Sequence, residues 1–183
     1  MSPSAEEPFE RRLERLEHRL DHVDAERAIA RTMYHYIDAC DRTKDSDRIS
    51  GLFTEDGIWE GRGNFAEFGQ TSGRTAIRDM FVENPNVLPF TAHYLTNPVI
   101  GVSMDLRTGW GTWHTLEAAT YRHRSAQVWI AALYDNDFEK VGHDWLIKHL
   151  RFTDIFVAPY EEGWLRTRYV SPNTLIKQVE LGD

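Results

Sequence analysis

With 183 residues, 41% of them hydrophobic and 12% aromatic, the chain has the size and composition of one folded domain with a substantial core. A net charge of −8 argues against a general nucleic-acid surface and against binding to an anionic membrane. No apolar run approaches the ~20 residues that span a bilayer, and the single cysteine, Cys40, rules out an intrachain disulfide. With a charged N-terminus in place of an apolar signal core, the expectation is a soluble cytoplasmic protein.

Residues 1–8 read as a disordered leader. From Phe9 the apolar residues fall at Phe9, Leu13, Leu16, Leu20 and Val23, alternating steps of four and three on an otherwise charged helix. This seam, about two heptads long, marks residues 9–24 as an N-terminal helical extension. It either packs on its own domain or meets a second subunit. The helical pattern then shifts to Ile29, Met33, Tyr36, Ile37 and Cys40 and ends in the polar run Asp41-Arg42-Thr43-Lys44-Asp45. A short helix over Asp47 to Phe53, with Asp47 as its cap, leads into a turn at Thr54–Gly57 and a strand beginning Ile58-Trp59-Glu60. Gly61–Asn64 reads as a loop, and Thr75–Glu83 as a helix closed by Asn84-Pro85.

Strands follow over Phe90–Thr96, Val99–Asp105, Gly109–Tyr121, Ser125–Glu139 and Asp144–Phe156. The last three are long and joined by short turns, which makes an antiparallel meander. Helices first and a sheet afterwards give an α+β domain over residues 25–159, with the helices covering one face of a curved sheet. Residues 160–183 form a C-terminal tail.

The residues capable of chemistry are few. His93 lies mid-strand between Pro89 and Pro98, with an ordinary pKa near physiological pH, and is either a base or a structural histidine. On the Gly109–Tyr121 strand, alternation puts Gly111, Trp113, Thr115, Glu117 and Ala119 on one face. Glu117 is either solvated or turned into a concavity, where its pKa would rise. Asp41, near a helix end, reads on its own as solvated. His18 and His22 have the i, i+4 spacing of a metal pair but no accompanying catalytic acid, and the other histidines have no ligand spacing, so no metal is expected. There is no phosphate-binding glycine loop and no Gly-x-Ser-x-Gly elbow, and Cys40 reads as an inert buried thiol. An acid–histidine pair without metal or nucleophile is what remains.

Four stretches carry a resemblance: Tyr36 to Asp41, Leu52-Phe53-Thr54-Glu55-Asp56-Gly57-Ile58-Trp59, His93-Tyr94-Leu95-Thr96-Asn97, and Trp129-Ile130-Ala131-Ala132-Leu133-Tyr134. In this order, over roughly Ala25 to Pro159, the chain resembles the SnoaL-like branch of the nuclear transport factor 2 superfamily. Within it the chain is most similar to hexachlorocyclohexane dehydrochlorinase, bile-acid 7α-dehydratase and scytalone dehydratase. The resemblance implies a conical α+β barrel, its curved and mostly antiparallel sheet wrapped around N-terminal helices and enclosing an apolar cavity. It also implies cofactor-free elimination by a His–Asp dyad, which falls on His93 and Asp41. Tyr36 takes the position five before the aspartate, and Glu117 the acidic position of the third strand. Keeping Thr153-Asp154-Ile155-Phe156 in register sets His149 at the dehydrochlorinase's last-strand arginine, with Arg151 two residues on.

The expected function is built on these residues. Neutral His93 takes a proton from carbon, Asp41 orients it, and Tyr36, Glu117 or His149 protonates a departing group. Trp59, Trp113 and Trp129 would supply flat walls for a hydrophobic cyclic substrate such as a steroid, polyketide or aromatic compound. The same base could serve an isomerase or cyclase, and the fold also hosts proteins that only bind. A homo-oligomer, dimer or trimer, is expected, with no cofactor and neither nucleic acid nor membrane as partner.

Overall fold

The computed structural model describes residues 8–123 and 126–176. The leader before Pro8, Arg124 and Ser125 at the start of a predicted strand, and the tail beyond Ile176 lie outside the described residues. Helix α1 runs unbroken for 30 residues, Phe9–Asp38, and its last turns widen into a π-turn over Ala39–Thr43. Then come α2 (Ser46–Gly51), β1 (Phe53–Arg62), a 3-10 turn (Gly63–Phe68), β2 (Gln70–Ser72), α3 (Arg74–Val82) and α4 (Asn84–Val87). Four long strands follow: β3 (Phe90–Val102), β4 (Thr108–Tyr121), β5 (Ala126–Val141) and β6 (Asp144–Pro159). The short helices α5 (Gly163–Arg166) and α6 (Pro172–Ile176) end the described chain.

The architecture is the expected α+β one. A six-stranded curved sheet in the order β2-β1-β6-β5-β4-β3 wraps α1, antiparallel except for β1 against β6, and left open with β2 and β3 as its edges. The meander β3–β6 is apolar on one face because its strands alternate, and Ile29 and Met33 of α1 bury against that face. Thr32 fastens the helix by donating its hydroxyl proton to the Trp145 carbonyl of β6 at 2.6 Å. Among the described residues no helix is long and apolar enough to cross a membrane.

Several local expectations are corrected. Asp45, not Asp47, caps α2, accepting the N–H groups of Asp47 and Arg48 at 3.0 and 3.1 Å. The turn expected at Thr54–Gly57 lies within β1, where a register shift between Phe53 and Ile58 absorbs the glycine and polar residues. The two strands read on either side of Pro98 are one bulged strand, β3, with Asn97 at φ 52°. The proline is tolerated because β3 is an edge. The apolar seam Phe9–Val23 stays exposed, so the reading in which it packs on its own domain does not hold. Near the end of the described chain Leu175 is buried, and Glu67 accepts hydrogen bonds from Ser171 and from the Asn173 backbone.

Two bulges in β6 matter for the site. Asp137 pairs His149 while Phe138 pairs Ile147, so Lys148 is the extra residue. Ala131 pairs Phe156 while Ala132 pairs Asp154, so Ile155 is a second. Each extra residue reverses which parity faces the core. Trp145 and Ile147 point inward before the first, Leu150, Phe152 and Asp154 after it, and Val157 after the second.

Buried Asp154 clamps the 3-10 turn, accepting the Asn64 backbone N–H at 2.6 Å and its side-chain amide at 2.8 Å. This aims Phe65 into the interior. Gly63, at φ 66°, leads into that turn, and a Cβ there would collide with the Asp154 carboxylate. Gly63→Ala should therefore cost more than about 1 kcal/mol of stability, from left-handed strain plus displacement of Asp154. Urea unfolding would show this as a lowered midpoint, and an unchanged midpoint would contradict the clamp.

Candidate active site

The site begins where α1 stops being an ordinary helix. The π-turn adds room at Ala39–Thr43, and Lys44, in the left-handed region at φ 50°, ends it with its N–H on the Ala39 carbonyl at 2.8 Å. Such widened turns recur at functional sites because they re-aim one side chain. Here that side chain is Asp41. Its Oδ2 accepts the His93 backbone N–H at 2.8 Å, and its Oδ1 meets His93 Nδ1 at 2.6 Å. An ionised carboxylate only accepts, so Nδ1 carries a proton.

The other ring nitrogen is also occupied. His93 and Glu117 are directly opposite in the β3–β4 register, and Nε2 lies 3.2 Å from Glu117 Oε2. Glu117 is 5% exposed, which decides against the solvated reading. Asp41, His93 and Glu117 thus form one chain of hydrogen-bonding groups. Lys44 braces it from behind: its Nζ donates to Thr91 Oγ1 at 2.8 Å and to the Cys40 carbonyl at 3.1 Å, tying the π-turn to β3.

Electrostatics follow from this geometry. Burial alone would lower the His93 pKa, but the Glu117 charge and the hydrogen bonds to Asp41 and Glu117 outweigh it and raise it to about 10. Burial alone would raise Asp41, and the hydrogen bonds and charge of His93 outweigh it to hold the carboxyl below its usual range. Burial lowers Lys44. Burial also holds the Tyr36 phenol well above its ordinary range and pushes the Cys40 thiol up to about 12. These interactions favour the imidazolium form of His93, seated between Asp41 and Glu117 with the Lys44 side chain nearby.

His93 and Glu117 line a cavity of about 370 Å³, within the size range of small-molecule pockets. Trp59, Phe65, Phe81, Ile130 and Phe152 supply apolar wall, Tyr36, Tyr121 and Tyr134 also face it, and Ile176 of α6 reaches it from the C-terminal end. Tyr36 is wedged edge-on among Phe53, Phe81 and Tyr134.

The structure thus brings together His93, Asp41, Glu117, Tyr36 and Trp59, and it removes four predicted residues from the pocket. Trp113 faces inward but is fully buried in the core, its ring lying back over Gly111 and edge-on to Phe138. Trp129 is on the outer face, because β5 buries its even-numbered residues: Val128, Ile130, Ala132 and Tyr134. His149 and Arg151 are turned outward by the bulge at Lys148. There His149 meets Glu60 at 2.8 Å and Arg151 at 2.9 Å, and Arg151 pairs with Asp137 at 2.6 Å.

Sequence reasoning missed Tyr121, Tyr134, Phe152 and Lys44. Tyr121 was within reach of alternation, since it continues the face of Glu117 and Ala119. Lys44 carried no signal, because a lysine in a polar run gives no hint of where its chain will turn.

Comparison with known proteins comes to the same fold. A family model described as a SnoaL-like domain matches residues 21–151. Searching the curated proteins by sequence finds no match. Among solved structures, a hexachlorocyclohexane dehydrochlorinase of type 3 from Novosphingobium barchaimii is similar at 21% identity and a TM-score of 0.66, covering 76% of this chain and 92% of that one. A protein assigned as a scytalone dehydratase from Novosphingobium aromaticivorans is similar at 22% identity and a TM-score of 0.64, covering 73% and 86%. A protein assigned as an aromatic ring hydroxylase from the same species reaches 19% identity and a TM-score of 0.66, covering 75% and 94%. At such identities the likeness is one of fold.

The charged site has a pH signature. Since the folded His93 pKa stands at about 10 against an ordinary 6.5, its contribution to stability is complete below pH 6.5 and lost as the pH rises to about 10. His93→Gln removes the cation that buried Glu117 and half-buried Asp41 share and should cost on the order of 3–5 kcal/mol near pH 6. Denaturation of both proteins across this range should show the gap closing toward pH 10. A constant gap would rule out the imidazolium.

Proposed function

The chain belongs to the SnoaL-like domain family, and from that premise we propose that it is a cofactor-independent lyase that eliminates water from a hydrophobic cyclic substrate. The observation that carries this reading is the Asp41–His93–Glu117 chain opening on an apolar cavity. In this mechanism the resting ring carries a proton on Nε2, which lies 3.2 Å from Glu117 Oε2. A bound apolar substrate displaces water and disfavours the separated charges, so the proton moves to Glu117 and the Nε2 lone pair is freed.

Base and acid are then poised together. His93 Nε2 takes a proton from carbon, the C–H electron pair becomes the new double bond, and the hydroxyl leaves as water with the Glu117 proton. The step ends with imidazolium and carboxylate, which is the resting ion pair. Asp41 stabilises the imidazolium as it forms and fixes the ring. Every proton moved comes from the substrate or from this pair.

The placement of Glu117 favours a hydroxyl leaving group, which needs an acid, over a halide, which departs as a stable anion. Of the other acids expected, His149 faces outward and the Tyr36 phenol is held too weakly acidic by burial. The fold neighbours described as dehydrochlorinase and scytalone dehydratase support elimination chemistry as a class. A second reading rests on the same pair: a proton taken by His93 and returned to another carbon makes an isomerase or cyclase. Steroid-, polyketide- and aromatic-like rings suit the aromatic walls.

The test is a panel of cyclic hydroxylated and halogenated compounds, with product mass as the readout. Loss of water supports the lyase, whereas unchanged mass with altered retention supports the isomerase. His93→Ala and Asp41→Asn should each lower turnover about 10²–10⁴-fold, measured at a temperature where circular dichroism shows the variant folded. Glu117→Gln should suppress loss of water while sparing loss of halide from an analogue. Full activity of either dyad variant, or equal loss for both leaving groups, would contradict the assigned roles.

A further inference from the structure

Helix α1 has two apolar stripes. Ala25, Ile29, Met33, Tyr36 and Ile37 are buried in the domain. Phe9, Leu13, Leu16, Leu20 and Val23 are 77%, 44%, 46%, 58% and 42% exposed. At about 100° per residue the two stripes point roughly 150° apart, so the seam faces away from the domain that holds the helix. A continuous apolar row of this kind on a charged helix marks an interaction surface.

We propose that the occupant is the same helix of a second copy, packed parallel and in register. Spacings of four and three set Leu13 and Leu20 at a positions and Phe9, Leu16 and Val23 at d positions. The flanking e positions are then Glu10, Glu17 and Asp24, and the g positions are Arg12 and Arg19. In a parallel pair each g residue meets the e residue five further on in the other chain. Arg12 meets Glu17 of the partner subunit, and Arg19 meets Asp24 of the partner subunit, so every such contact is of opposite charge. Asp24 also lies 3.9 Å from Arg27 of its own helix, an exposed pair too loose to compete. An antiparallel pair would set g against g and e against e, arginine facing arginine and carboxylate facing carboxylate.

Two further facts suit this occupant. The seam ends at Val23, since Arg27 takes the next a position, and Ala25 is the first residue buried in the domain. The domains then lie on the far sides of the two helices, which suits a two-fold axis between them. The helix is also already held by its domain half, so a seam of about two heptads does not have to nucleate it alone.

The experiment uses the full chain with one added cysteine. Buried Cys40, its thiol pushed up to about 12, does not compete. Under mild oxidation, Phe9→Cys and Val23→Cys should each give a covalent dimer by themselves, while Arg11→Cys on the opposite side of the helix should not. Arg12→Glu with Arg19→Glu, added to Phe9→Cys, should bring cross-linking down to the Arg11→Cys level. Mixing with Phe9→Cys carrying Glu17→Arg and Asp24→Arg should restore it. Cross-linking only between Phe9→Cys and Val23→Cys would show an antiparallel seam and overturn the proposal. So would cross-linking no greater than in the control, or indifference to charge reversal with an unchanged helical spectrum.

Discussion

The grip of one carboxylate on two groups of one histidine organises this protein. Asp41 binds both the backbone N–H and the ring of His93, and so joins the end of α1 to an edge strand of the sheet. An edge strand has a free side, and among the described residues no strand pairs with β3 there. Asp41 supplies part of what a further strand would give, and the Lys44–Thr91–Cys40 contacts supply more. The π-turn is needed because a regular helical end would aim the carboxylate elsewhere.

That grip also sets the electrostatics of the interior. Two carboxylates and an imidazole beside an apolar cavity are costly to bury unless each is paired, and here each is. His93 has both nitrogens engaged, so it does not rest as a free base. In the proposed mechanism it becomes one only when its Nε2 proton moves to Glu117, and a substrate that excludes water would drive that move. On that reading the apolar walls would both shape the ligand and set the protonation state on which the proposed chemistry depends.

Helix α1 serves two surfaces with one sequence. Its C-terminal half is amphipathic toward the sheet and delivers Asp41. Its N-terminal half is amphipathic in nearly the opposite direction and leaves Phe9–Val23 uncovered. The stiffness of a continuous helix links them, since no break lets the first stripe turn back onto the domain.

The sequence by itself determined what depends on near neighbours in the chain. The four–three spacing of Phe9–Val23, the strand alternation around Glu117, and the acid and histidine singled out by family resemblance were all legible. Tertiary structure alone decided which parity of each strand faces inward. Trp129 is outside and Ile130 inside because β5 lies in one register against β4. His149 and Arg151 are outside because one extra residue, Lys148, reverses β6 just before them. A period-two pattern defines two faces but does not say which is the core, and a single bulge exchanges them. Pairing partners far away in sequence settle that choice, as they settle that Asp41 and His93 meet at all.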